Sequence, residues 1–168
     1  MAMEVRPGRY TADIEGDFVV FLIGMRFNHP LRVRKWLPVA RAMPKMVKVL
    51  SRHPELGCLG FQQWFGRTTI LVQYWRDFDS LDRFARDKDL PHLEPWRQFN
   101  RAVRDSGEVG IWHETFRVRA GEYEAVYGNM PAFGLAAAGT LVPAARKGNT
   151  AAARIGATTT DDPAVAPY

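Results

Sequence analysis

The residues best suited to chemistry are two histidine-centred groups and a set of polar side chains on apolar strands. His92 lies between Pro91 and a segment that Pro95 helps to start. His92, Trp96, Phe99 and Val103 fall at i, i+4, i+7 and i+11, so they share one stripe if the segment is helical. A helix N-terminus disfavours a cation and keeps an imidazole neutral, the form that takes a proton or a metal. A His hydrogen-bonded to backbone would satisfy the same pattern. His113 and Glu114 are adjacent in an extended run, so they point to opposite faces and only one can enter a given pocket. Either is expected to be a partnered, buried group and a candidate for proton transfer.

Three strands each offer a face on which polar groups sit among apolar ones, as pocket walls do. In Phe18 to Asn28, the alternation separates Val19, Phe21, Ile23, Met25 and Phe27 from Phe18, Val20, Leu22, Gly24, Arg26 and Asn28. The first set is expected to face helices. The second, with Arg26 and Asn28, is expected to face a ligand or a seam between copies. Cys58, Gly60, Gln62 and Trp64 form a similar set, as do Thr69, Leu71, Gln73 and Trp75. The expected substrate contacts are Arg26, Asn28, Gln73 and Tyr127, with Trp64, Trp75 and Trp96 as apolar walls. Other chemistries lack their residues: there is no Gly-rich phosphate loop, dinucleotide fingerprint or nucleophile elbow. The lone Cys58 reads as core.

The elements that must position these groups follow from the pattern. Asp17 to Asn28 reads as a buried strand, and Leu31 to His53 as a helix that Pro38 and Pro44 should kink or divide. Leu56 to Phe65 and Thr68 to Arg76 read as a hairpin turning at Gly66–Arg67. A helix from Asp79 to about Lys88, a second from Pro91 to about Val103, and a strand from Val109 to Val118 follow. Strand, helix, strand, strand, split helix, strand is the split βαβ order of a ferredoxin-like sheet. The expected fold is thus α+β: a four-stranded antiparallel sheet with helices on one face, its other face covered by pairing across a two-fold axis as a dimeric α+β barrel. Residues 1–16 are expected as an arm and 17–130 as the domain. Residues 131–168 are expected as an extension, disordered from about Lys147.

The chain has 168 residues, 46% hydrophobic and 24% charged, which suits one domain with a real core. One Cys excludes a disulfide framework. The formal charge of +5 is concentrated between Leu31 and His53, where seven basic residues occur without an acid. Such a run is a solvated helix face or an anion-attracting surface. No nucleic-acid motif accompanies it, so no nucleic-acid partner is expected. The longest apolar run, Phe18 to Met25, is too short to span a bilayer, and membrane association is not expected. With no secretory signal at the start, the expected location is cytoplasmic.

Several segments resemble a known family. They are Arg9 to Asn28, Tyr74-Trp75-Arg76, His92-Leu93-Glu94-Pro95-Trp96, Phe99-Asn100, Trp112-His113-Glu114-Thr115-Phe116, and Tyr123 to Pro131. In order and spacing they are similar to the monooxygenase-like family catalogued as domain of unknown function 4188. That family is similar to the antibiotic-biosynthesis monooxygenases. The resemblance implies an oxygenase-type tailoring enzyme of specialised metabolism, acting on a hydrophobic small molecule as a homodimer. Relatives in the wider superfamily are cofactor-free or use haem, so the cofactor is expected to be none or haem b. In the haem case the resemblance assigns His92 as axial iron ligand and Tyr127, with Tyr74 and Tyr123, to propionates or proton relay. The chemistry would then be peroxidase-, haem-oxygenase- or aldoxime-dehydratase-like. A non-catalytic lipid- or metabolite-binding module is the alternative outside enzymes.

Overall fold

The computed structural model describes residues 4–88, 97 and 107–166. The helix expected to follow Pro91, with His92 and Trp96, lies outside the described residues. The chain divides into two compact units, 20–116 and 1–19 with 117–168.

The unit of residues 20–116 contains the alternating apolar strands. Strand β2 (Phe18–Phe27) leads to helix α1 (Val33–Arg52). Strands β3 (Cys58–Trp64) and β4 (Ile70–Trp75) form the hairpin. Helix α2 (Phe78–Arg86) and strand β5 (Val109–Val118) follow. The sheet order is β3-β4-β2-β5, the ferredoxin-like arrangement expected of the pattern. Helix α1 runs unbroken through Pro38 and Pro44. Asp77 starts α2 by accepting the Ser80 N–H at 2.6 Å. This satisfies one of the donors a helix N-terminus leaves open. The same contacts with Ser80, and then Arg76, hold the Asp77 carboxyl below its ordinary pKa.

The register divides the side chains. Thr69 donates its N–H to Met25 O and Phe27 donates to Arg67 O, with Arg26 opposite Thr68. In the hairpin Phe61 pairs with Gln73 and Gln63 with Leu71. Met25, Thr69, Leu71, Gln73 and Trp75 therefore share one face. That face carries the helices: Phe27 meets Trp36 of α1 at 4.6 Å between ring centroids, and Trp75 meets Phe84 of α2 at 5.3 Å. The β2 alternation thus assigned its helix face correctly.

The other unit corrects two expectations. Residues 6–13, read as part of a polar arm, form strand β1 (Arg6–Asp13). It lies between β6 (Tyr127–Met130) and β7 (Thr140–Pro143) in a three-stranded antiparallel sheet. The alternation was obscured because β1 buries only Thr11 and Ala12 and puts charged residues along the rest. The tail beyond Lys147, read as disordered, contains a helical turn at Ala151–Arg154. Polar contacts hold it. Arg154, with a side chain only 4% exposed, donates Nε to Glu124 at 2.7 Å and Nη1 to the carbonyls of Gly148 and Asn149. Asp161 accepts the N–H groups of Asn149 and Thr150, which lower its pKa. Apolar periodicity is blind to such an anchor.

Candidate functional site

The candidate site is the face of the four-stranded sheet opposite the helices. Gly24 and Arg26 of β2, Gln62 and Trp64 of β3, Val72 and Tyr74 of β4, and Trp112 and Glu114 of β5 share it by register. On β4 the residues of this face (Ile70, Val72, Tyr74) are half-buried, whereas Leu71, Gln73 and Trp75 are buried. Trp64 remains 43% exposed and Phe116 49% exposed. The face is therefore apolar and aromatic with few polar groups, the composition of a small-molecule surface.

At its centre lies an unbalanced donor. The Trp112 indole Nε1 is buried and has no hydrogen-bond partner. A buried N–H left unpaired costs about 1–3 kcal/mol, so such a group calls for an explanation. Gly24 explains how the indole reaches its place. A Cβ on Gly24 would stand 2.0 Å from the Thr69 carbonyl oxygen and 2.7 Å from Trp112 Nε1. Only a residue with no side chain lets the ring cross β2 there. Glu114, two residues along on the same face, is exposed, so a carboxylate and an indole donor flank the same apolar strip.

The sequence-derived candidates separate. Arg26, Trp64 and Glu114 are on this face. The Arg26 guanidinium donates to Thr68 Oγ1 at 2.9 Å. Asn28 continues the same alternation just beyond β2, where its amide donates to Gly107 O at 2.8 Å. Gln73 and Trp75 are corrected. They are 1% and 0% exposed on the helix side, where the Trp75 Nε1 donates to Gln73 Oε1 at 2.8 Å. The pair satisfies itself in the core and is unavailable to substrate. The correction has a physical source in the register of β4 against β2: Arg26 stands opposite Thr68, so Thr69, Gln73 and Trp75 fall on the Met25 side.

His113 is on the helix side, 5.8 Å from the Phe21 ring between centroids. Both His113 and Glu114 are exposed, so the expectation of a buried ionisable group does not hold. Tyr127 lies on β6 in the other unit, where its hydroxyl accepts the Ala136 N–H at 3.3 Å. Burial raises its pKa, with the backbone N–H groups of Ala136 and Leu135 working against the rise. His92 and Trp96 lie outside the described residues. Among the described residues, no histidine lies on the candidate face and no cluster of three potential metal ligands occurs.

Trp112 and Gly24 are the functional candidates that residue chemistry alone missed. The alternation Trp112, Glu114, Phe116 was visible, but its meaning depended on Gly24 standing opposite.

Topology and open face together define a ferredoxin-like α+β protein with an aromatic surface on the side away from its helices. Residues 18–135 match the model of the monooxygenase af470-like family, and the chain belongs to that family. It is 35% identical over 149 residues to the monooxygenase af470 of Aspergillus fumigatus, with 75% of this chain and 52% of that protein covered. The chain thus spans about half the length of the curated relative it matches. Among solved structures, an aldoxime dehydratase in complex with butyraldoxime is similar at a TM-score of 0.60 and 15% identity, covering 78% of this chain and 43% of that one. A cofactor-independent oxygenase from Streptomyces nogalater is similar at a TM-score of 0.43 and 15% identity, covering 61% and 94%. No described helix is long and apolar enough to cross a membrane.

Proposed function

We propose that the chain is an oxygenase-type tailoring enzyme for a hydrophobic, partly oxygenated small molecule, and that the substrate lies on the open sheet face. The observation that carries this is the buried, unpaired Trp112 N–H on an aromatic surface. Family membership and the relative's name agree with it.

Each residue then has a defined task. Trp64, Val72 and Tyr74 provide apolar contact for the substrate body. Trp112 Nε1, covered in the unliganded chain, donates to a substrate oxygen once the indole turns towards the face, and that bond strengthens as negative charge develops on the oxygen. Glu114 accepts the proton whose removal creates that charge. Arg26, already oriented by Thr68, offers a cation at one end of the strip. A second copy of the chain covering part of the same apolar face is the proposed assembly, as a homodimer.

The test is oxygen uptake with a panel of lipophilic phenolic and enolisable compounds, on the full chain and on Glu114→Gln. Substrate-dependent uptake that falls about a hundredfold in Glu114→Gln, the lower range for losing a general base, supports the reading. Saturable binding of panel members without uptake would instead favour a binding module.

A further inference from the structure

One end of the 20–116 unit carries a surface that the proposed oxygenase function does not use. Leu31, in the connection between β2 and α1, is 96% exposed, and Phe65, at the tip of the β3–β4 hairpin, is 79% exposed. The backbone ties the two loops together. Phe27 donates its N–H to Arg67 O at 2.9 Å, and the Arg67 guanidinium reaches back to the carbonyls of Phe27 and Asn28. Two large apolar side chains are thus held at the same sheet end, each in solvent.

Single exposed apolar residues need no explanation, but these two sit among cations. Arg32, Arg34, Lys35 and Arg67 belong to the same loops and the first turn of α1. The neighbouring carboxylate, Glu108, is engaged by Arg32. From Leu31 to the end of α1 at Arg52 there is no acidic residue, so the positive field extends along the helix. Protruding apolar tips within a cationic rim match the two layers of an anionic lipid surface: acyl chains below, phosphates above.

We infer that this end of the sheet, with Leu31 and Phe65 as inserting tips and Arg34, Lys35 and Arg67 as the headgroup contacts, docks on an anionic lipid membrane. Charge complementarity selects that occupant. A second copy presenting the same end would set like charges against one another. A nucleic-acid strand would meet the cations and stack on Phe65 but leave Leu31 in solvent, whereas an acyl layer covers both tips. Peripheral docking requires no spanning helix, so it is compatible with the short apolar runs that made membrane association unexpected from sequence. The inference stands independently of the proposed oxygenase site.

The test is flotation of the full chain with phosphatidylcholine vesicles and with equimolar phosphatidylcholine–phosphatidylglycerol vesicles, at low and raised salt. The variants are Leu31→Ser with Phe65→Ser, and separately Arg34→Glu with Lys35→Glu. All four positions are exposed, and circular dichroism verifies that the fold is kept. The expected result is binding to the anionic vesicles alone, at least about tenfold weaker in either double variant and in raised salt. Failure to float with anionic vesicles overturns the inference. So does binding that neither double variant changes, or a serine variant whose only effect is loss of a dimer.

Discussion

At the residue scale, environment decides what each polar group can do. Cys58 is the chain's one thiol, and burial pushes its pKa up to about 11, outweighing a backbone hydrogen bond at Gly60 that works to lower it. Thiolate is the reactive form, so at pH 8 alkylation by iodoacetamide should run about a hundredfold slower in the native state than in urea. Mass spectrometry of timed aliquots measures this, and equal rates would show the thiol to be accessible. The sign for stability follows from the raised value. The thiol costs the fold nothing below its unfolded pKa near 9, and stability falls as pH rises from there towards 11. Gln73 and Trp75 make the complementary point. Their chemistry suggested substrate contacts, but burial and their mutual hydrogen bond consume it.

At the element scale, the approach of β5 to β2 creates the site, and Gly24 controls it. Gly24→Ala places a methyl group against the Thr69 carbonyl and the Trp112 indole, where something must move. We expect a loss of about 1–3 kcal/mol, the usual cost of overpacking, together with a shift in Trp112 fluorescence. Denaturant melts and emission spectra check both; an unchanged midpoint and spectrum would mean that the crossing is looser than described.

Most of the unit containing this sheet was legible, because β2, the hairpin and β5 alternate strongly and Asp77 is a good helix cap. Which strand faces meet was less legible. The β2 alternation separates its two sides unaided, but assigning Gln73 required the register of β4 against β2 and of β3 against β4. Those depend on backbone pairing between distant segments. Strand β1 and the tail were missed for another reason. Both are held by sheet edges and polar anchors in a segment of mixed composition, where apolar periodicity is silent.

At the scale of the whole molecule, each unit has its own means of cohesion. The 20–116 unit relies on aromatic packing between sheet and helices. The other combines a small apolar core, with Ala12, Leu135, Ala136, Val142 and Ala144, with part-exposed polar links. In it Lys147 reaches Asp13 at 2.6 Å and the Tyr123 hydroxyl at 2.9 Å. Burial works to lower the Lys147 pKa, but the hydrogen bonds to Asp13 and Tyr123 outweigh it and leave the pKa raised. Arg154→Ala strands Glu124 and frees two backbone carbonyls, so the chain after Lys147 should become sensitive to limited proteolysis while the 20–116 unit remains intact. An unchanged digestion pattern would show the anchor to be dispensable.

The proposed site turns on the Trp112 indole N–H beneath the open sheet face, which would meet an oxygen of the substrate. The most direct measurement compares substrate-dependent oxygen uptake in the wild type and in Trp112→Phe, which keeps an aromatic ring and removes the donor. We expect kcat to fall about a hundredfold, as when one donor to a developing oxyanion is lost, while the melting temperature stays level or rises. Equal turnover in the two proteins would contradict it and remove Trp112 from the site.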